Sequence, residues 1–220
     1  MELADTLLDD GAAGVYPFVC DVRDQAAVSE SLSALPNEFA DIDVLINNAG
    51  LARSLTGVHE QDPGDFDEMI DTNVKGLLYV TRAVAPGMVE RARGHIVNIG
   101  STAGHEVYAG GTVYCASKHA VGAITRGLKI DLHGTPIRVT TVDPGMVETD
   151  FSLVRFRGDA ERSAGVYADT RPLRAEDVAD AVMWCLTRVD RVNIAEVIMT
   201  STDQSSATLV HRTKPSEPNG

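Results

Sequence analysis

Tyr114 and Lys118 stand four residues apart in Tyr114-Cys-Ala-Ser-Lys118, and Ser101 lies thirteen residues before the tyrosine. On a helix, positions four apart share one face, so a phenol and an ammonium would address the same space. That pairing suits acid/base work on an alcohol or carbonyl. A free phenol titrates near 10, and lowering it by about three units needs roughly 4 kcal/mol of preferential stabilisation of the phenolate. The Lys118 ammonium, together with a positively charged nicotinamide ring, is a source of such a field. Ser101 would hydrogen-bond the reacting oxygen as carbonyl and alcohol interconvert. Asn73, in Asn73-Val-Lys-Gly76 on the preceding helix, could hold a water that connects Lys118 to bulk solvent. Taken alone, Tyr-x-x-x-Lys is a weak signal, with a packed tyrosine and a solvated lysine as the alternative. The serine at its fixed distance, and Asn47-Asn-Ala-Gly50 after an apolar run, make the ordered set specific, although that last stretch by itself is no more than a turn.

These residues need elements to position them. Short β-branched runs alternate with longer stretches of helical period, the pattern of βα units and a mostly parallel sheet. Strands are expected at Val15 to Cys20, Val44 to Ile46, His95 to Ile99, Ile137 to Val142 and Asn193 to Met199. Apolar residues at helical spacing mark helices through Val28, Leu32 and Leu35, through Phe66 to Thr81, and through Val113 to Leu128. Gly94 is expected to end the second of these, and Asp177 to begin a further helix through Val178, Val182 and Leu186. In open α/β sheets, ligands bind outside the carboxyl ends of the strands. Asp21, Asn47 to Gly50, Ser101 and Asp143-Pro-Gly145 each follow a predicted strand, so four strand ends would face one crevice. Residues 1–210 read as one domain, and the polar segment 211–220, with its two prolines, as a loose tail.

Composition excludes other classes. A net charge of −13 repels phosphate backbones, so nucleic acid is not an expected partner. No uncharged run approaches the roughly 18 apolar residues of a membrane span, and the acidic N-terminus is no secretory leader. Three widely spaced cysteines, Cys20, Cys115 and Cys185, point to a reducing cytoplasm rather than a disulfide framework. Cys115 reads as core filler beside the tyrosine. The six histidines show no ligand spacing, and no metal is assigned.

As an ordered set, Asp21-Val22, Asn47 to Gly50, Asn73 to Gly76, Ser101, Tyr114 with Lys118, and Pro144-Gly145 followed by Val147 and Thr149 resemble the short-chain dehydrogenase/reductase family. The resemblance covers essentially the whole chain. It implies a Rossmann-like doubly wound α/β sheet and an oxidoreductase with a tetrad of Asn73, Ser101, Tyr114 and Lys118. It further implies Asp21 and Val22 near the adenine of a bound dinucleotide, and Asn48, Ala49 and Gly50 along the adenosine ribose and phosphate. Tyr114 and Lys118 would lie on the nicotinamide ribose, and Pro144, Gly145, Val147 and Thr149 around the nicotinamide amide. A homotetramer or homodimer is implied as well.

Within the family, Thr149 to Asp159 and Val192 to Met199 look similar to NADP-dependent 3-hydroxy acid dehydrogenases, with NAD left open as cofactor. Arg155 and Arg157 fall in the segment that should cover the substrate, where a guanidinium can grip a carboxylate. The alternative is two surface arginines paired with Asp150 or Asp159. Arg53 is a third carboxylate candidate. A 3-oxoacyl-thioester or sugar reductase is the competing enzyme, and a non-catalytic subunit the competing class.

One expected part is missing. The resemblance makes Val15 to Cys20 the family's third strand, so two βα units and the glycine-rich loop that holds the pyrophosphate are not in this sequence. Met1 then reads as an internal methionine of a longer parent, and Val44 to Ile46 as an unpaired apolar edge. The chain alone is expected to show no NADP-dependent turnover. Its 20 Asp and 12 Glu against 15 Arg and 4 Lys also read as salt adaptation. The melting temperature is therefore expected to rise between dilute buffer and molar KCl; a flat or falling trace sinks that reading.

Overall fold

The structure, a computed structural model, describes residues 2–213. Helix α1 (Glu2–Asp9) leads through an extended stretch to α2 (Gln25–Ser33) and the short α3 (Asn37–Ala40). Strand β1 (Val44–Asn47) follows, then α4 (Pro63–Ile70), a π-helical segment (Asp71–Gly76) and α5 (Leu77–Glu90). Strand β2 (His95–Ile99), a 3₁₀ turn (Thr102–Gly104), α6 (Thr112–Asp131) and β3 (Arg138–Pro144) come next. The chain closes with α7 (Phe151–Arg155), α8 (Ala160–Tyr167), α9 (Ala175–Leu186) and β4 (Glu196–Met199). The four strands pair in chain order and all in parallel, as expected of a doubly wound sheet.

Alternation along β2 shows how both faces are filled. Ile96 packs with Val84 and Met88 of α5, whereas its neighbour Val97 packs with Val182 of α9 on the opposite face. Helices on both faces let the central strands be continuously apolar. His95, in β2, is buried, with Nε2 2.7 Å from Thr140 Oγ1. Burial and the nearby Arg138 charge hold its imidazole down to about 4.

The expected strand at Val15 to Cys20 does not form. The segment is extended, Val19 is fully exposed, and Tyr16 rests on Phe39 with ring centroids 5.7 Å apart. No strand among the described residues offers it a ladder, so its backbone groups face water. On the other side of that absence, β1 bonds only β2, and Val44 and Ile46 are 43% and 45% exposed. The fifth expected strand begins late, at Glu196 rather than Asn193, because the Asn193 side chain itself caps β3 by accepting from Val139 N and donating to Val139 O.

The long helix expected from Phe66 to Thr81 is continuous but not uniform, since the π segment inserts an extra residue at Asp71–Gly76. Asp177 does open α9: its carboxylate accepts from Arg174 N at 2.8 Å. At the other end of the chain His211 N donates to Asp203 O and Thr213 N to Asp169 O, so the expected loose tail is tied down through Thr213. Its remainder, 214–220, lies outside the described residues.

Gly94 does not terminate α5. The helix ends at Glu90, and the left-handed residue that closes it is Ala92, at φ 51°. Arg93 N returns to Met88 O and Ala92 N to Val89 O, the pairing of a Schellman cap, while Gly94 lies against the Met88 side chain. A β-carbon in the left-handed region costs about 1–2 kcal/mol, offset in part by the unfolded-state entropy that glycine adds. Ala92→Gly is therefore expected to stabilise the fold by about 0.5–1 kcal/mol, raising the melting temperature by roughly 1–4 °C. An unchanged or lower melting temperature would contradict the assignment.

Candidate active site

The strand ends open onto a cavity of about 720 Å³, within the range of small-molecule sites. Asn48 and Gly50 reach it from the end of β1, Ser101 from β2, and Pro144, Gly145, Val147 and Thr149 from β3. Tyr114 and Lys118 enter from α6, one turn apart. Most of the remaining wall is apolar, from Ile46, Phe151, Val154, Val182 and Met183 among others. The sequence placed the segment holding Phe151 and Val154 over the substrate, but missed Ile46, Val182 and Met183, because apolar residues of strands and helices read simply as core.

Asn73 does not line the cavity but ties together elements that do. Its Oδ1 accepts from Leu51 N at 2.8 Å, and its Nδ2 donates to Leu51 O at 2.8 Å and to Ser117 Oγ at 2.9 Å. Ser117 Oγ in turn donates to Tyr114 O. Ser117 was not singled out from the sequence, although its position three residues after Tyr114 puts it on the same helical face. With its amide committed in this way, Asn73 makes no hydrogen bond to Lys118, though both flank Gly50. A β-carbon at Gly50 would stand 3.4 Å from Asn73 Oδ1 and 3.6 Å from Lys118 Nζ.

The phenol and the ammonium depart from the expected tuning. Tyr114 is 8% exposed, and burial pushes its phenol up to about 12, against the downward pull of a Ser101 hydrogen bond and the Arg155 charge. Lys118 donates to Ile99 O at 2.9 Å, and its Nζ lies 5.9 Å from the Tyr114 ring centroid. Burial draws Lys118 down to about 8, with the Asp143 carboxylate acting against it. The neighbouring ammonium alone therefore does not acidify the phenol; a further positive charge is needed. Ser101 is extended, and its Oγ accepts from Ala103 N, capping the 3₁₀ turn.

Other predicted residues lie elsewhere. Asp21 is outside the cavity and holds Arg23 at 2.7 Å, which keeps its carboxyl down at about 2. Val22 packs against Gly76 at the start of α5, and Ala49 does not line the cavity. Arg53 is occupied by Glu68 at 2.6 Å and by the Val154 carbonyl. Arg157 pairs with the buried Asp65 rather than with Asp150 or Asp159, and points away from the cavity. Arg155 does not line the cavity either, but it lies against two rings that do. Its guanidinium lies 5.2 Å from the Tyr114 ring and 5.0 Å from the Phe151 ring, its Nη2 donates to Tyr108 OH at 3.2 Å, and its buried Nε has no partner.

Burial of Lys118 has a measurable sign. With the folded value near 8 and the ordinary one at 10.5, the unfolded chain binds the extra proton. The penalty is full below about pH 8 and vanishes as pH rises toward 10.5. Lys118→Met is therefore expected to melt higher than the parent at pH 7, with the gain shrinking by pH 9.5 or so. A gain that does not change with pH would mean that charge burial is not its origin.

Comparison with known proteins agrees with this geometry. A family model described as short chain dehydrogenase matches residues 2–158. The chain is 50% identical over 213 residues to an NADP-dependent 3-hydroxy acid dehydrogenase, YdfG, of Salmonella typhi, covering 96% of this chain and 86% of that protein. An NADP-dependent 3-hydroxy acid dehydrogenase of Schizosaccharomyces pombe is 43% identical over 211 residues, 96% of this chain and 82% of its own length. Among solved structures, the closed form of a serine dehydrogenase complexed with NADP+ superposes with a TM-score of 0.90 at 48% identity, over 97% of this chain and 87% of that one. With Ser101 from the end of β2 and Tyr114 and Lys118 from α6 brought to one cavity, and with matches of this extent, the chain belongs to the short-chain dehydrogenase family.

Proposed function

We propose that this site interconverts a 3-hydroxy acid and the corresponding 3-oxo acid, using NADP. The observation that carries the reading is that Ser101, Tyr114 and Lys118, from two separate elements, border the same cavity. The cavity also fits the nicotinamide end of a dinucleotide. Backbone approaches closely at Gly50 and Gly145, polar groups come from Asn48 and Lys118, and Ile46, Val147 and Val182 supply apolar walls. When bound, NADP supplies the nicotinamide carbon that accepts or gives the hydride.

The chain's own residues handle the oxygen and the proton. Ser101 Oγ hydrogen-bonds the substrate oxygen and fixes it beside Tyr114. In the reductive direction the neutral Tyr114 phenol donates its proton to that oxygen as the hydride reaches carbon. A phenol held up at about 12 is in the correct protonation state for this at neutral pH. Oxidation needs the phenolate, which Lys118 and the positive nicotinamide ring would stabilise together. Asn73 keeps the Gly50 loop and α6 in register.

Arg155 supports the substrate class. Its stacked guanidinium has one buried N–H without a partner, beside Phe151, which lines the cavity. A substrate carboxylate would supply the missing acceptor and a compensating charge once the Arg155 side chain, which does not itself line the cavity, turned toward it. Neither an acyl thioester nor a sugar brings that charge. The assembly into a homotetramer or homodimer and a cytoplasmic location belong to this reading as family expectations.

No glycine-rich strand-to-helix turn occurs before β1 among the described residues, so weak cofactor binding and no turnover at ordinary NADP(H) concentrations are expected. NADPH is therefore titrated into the chain first, by fluorescence, and turnover is measured at the saturating level so found. No turnover is expected from the chain alone even there; with a relative's glycine-rich N-terminal segment fused ahead of Met1, reduction of 3-oxo acids is expected, falling by about 10²–10⁴-fold in Tyr114→Phe. In Arg155→Leu the KM for 3-oxo acids should rise roughly 10–100-fold, with neutral ketones little affected. Reduction indifferent to Tyr114→Phe, or confined to acyl thioesters, would overturn the assignment. NADPH binding by the fused chain without reduction of anything would leave a nucleotide-sensing subunit instead.

A further inference from the structure

Behind the Ser101 turn, three potential ligand groups converge from three elements. His105 follows the 3₁₀ turn, Asp143 stands near the end of β3, and Glu196 opens β4. His105 Nε2 lies 2.8 Å from Asp143 Oδ2 and 3.8 Å from Glu196 Oε1, and the three donor atoms all lie within 4.8 Å of one another. None of the three residues lines the cavity.

Asp143 is built into the fold. Its side chain is 5% exposed, and Oδ1 accepts from Thr141 Oγ1 at 2.6 Å, which leaves Oδ2 turned to His105. Its place exists because Gly100 has no side chain: a β-carbon there would stand 1.7 Å from Asp143 Oδ1. Two carboxylates thus share one imidazole, and even a protonated ring would leave a net negative charge beside a buried group. A divalent cation balances that set.

The spacing also fits. Zinc bonds to imidazole nitrogen and carboxylate oxygen run roughly 2.0–2.2 Å, which places neighbouring tetrahedral donors about 3.3–3.5 Å apart. The observed 2.8 and 3.8 Å bracket that separation. An imidazole with two carboxylates suits a borderline transition metal better than magnesium or calcium, which prefer all-oxygen shells. His105 and Glu196 are 30% and 37% exposed, so an ion can enter and water can complete its shell. A chain of net charge −13 draws divalent cations toward it.

We propose that His105, Asp143 and Glu196 form a binding site for a divalent transition-metal ion of the zinc type. On binding, His105 coordinates the ion through the Nε2 lone pair as the neutral Nδ1–H tautomer: a neutral ring moves its Nε2 proton to Nδ1 by way of water, and an imidazolium releases its Nε2 proton to water. The ion then braces the turn that begins at Ser101 against the end of β3 and the start of β4, outside the cavity but next to Gly100 and Pro144, which line it. The histidine spacing in the sequence could not reveal this set, because the donors meet only through the parallel sheet.

Calorimetric titration of the purified chain with Zn²⁺ tests the proposal without reference to activity. One equivalent is expected, with affinity reduced at least about tenfold in His105→Ala and in Glu196→Gln. Both residues are partly exposed, so both variants should fold, which circular dichroism checks. Zn²⁺ should raise the melting temperature of the parent and not of either variant. Replacement by Co²⁺ should give a spectrum without a thiolate charge-transfer band. No zinc binding, undiminished binding in both variants, or a thiolate band that places the ion on a cysteine would each overturn the site.

Discussion

The Asn73 side chain commits every one of its near hydrogen-bonding positions to holding other pieces of the chain. Two bonds to the Leu51 backbone fix the loop after β1, and one to Ser117 fixes α6. The residue is 2% exposed, so no water can replace a lost partner without a cavity opening. It occupies the π segment, whose wider turn departs from the regular helix at the point where α4, α5 and α6 meet the strand ends. Remove that joint and Gly50, Tyr114 and Lys118 lose a common reference. The loop carrying one side of the cavity and the helix carrying the acid/base pair are joined through this side chain.

A second polar chain reinforces the same region from beneath. Asn47 Nδ2 donates to Thr81 Oγ1 and Asn98 Oδ1, and Asn98 Nδ2 donates to Thr125 Oγ1, so β1, β2, α5 and α6 are linked inside an otherwise apolar layer. Satisfied networks of this kind fix a unique arrangement, because any shift would strand several buried donors at once. The acidic surface has no part in this. Its charges lie mostly on exposed faces, where ion pairs such as Lys75 with Asp71 contribute little.

Much of this was legible in the sequence because it rests on short-range rules. β-Branched runs gave four strands within a few residues of their observed bounds, and helical spacing put Tyr114 beside Lys118. What escaped depended on tertiary partners. Val15 to Cys20 has the composition of a strand but no ladder to join, and a strand is defined by its neighbour as much as by its residues. Gly94 looked like a helix terminator, yet the cap falls at Ala92, since the Schellman bonds are set by where the helix runs out of partners. Arg53 reads as a carboxylate candidate, and Arg157 either as another or as a partner of Asp150 or Asp159; Asp65, far along the chain from Arg157, and Glu68, fifteen residues from Arg53, claim them instead. The raised phenol of Tyr114 followed from burial, which no spacing rule measures.

Gly100 carries a consequence of another kind. It is the point where β2 passes so close to Asp143 that one added carbon would overlap a carboxylate oxygen. Nothing in hydropathy or charge marks such a position, and a replacement by alanine would look harmless in any profile of the chain. Tolerance to mutation is therefore distributed very unevenly here. An exposed side chain can change with little effect, while this strand end is maintained by the exclusion of a single methyl group. The site thus depends not only on its reactive residues but on a place beside them that stays empty of side chain.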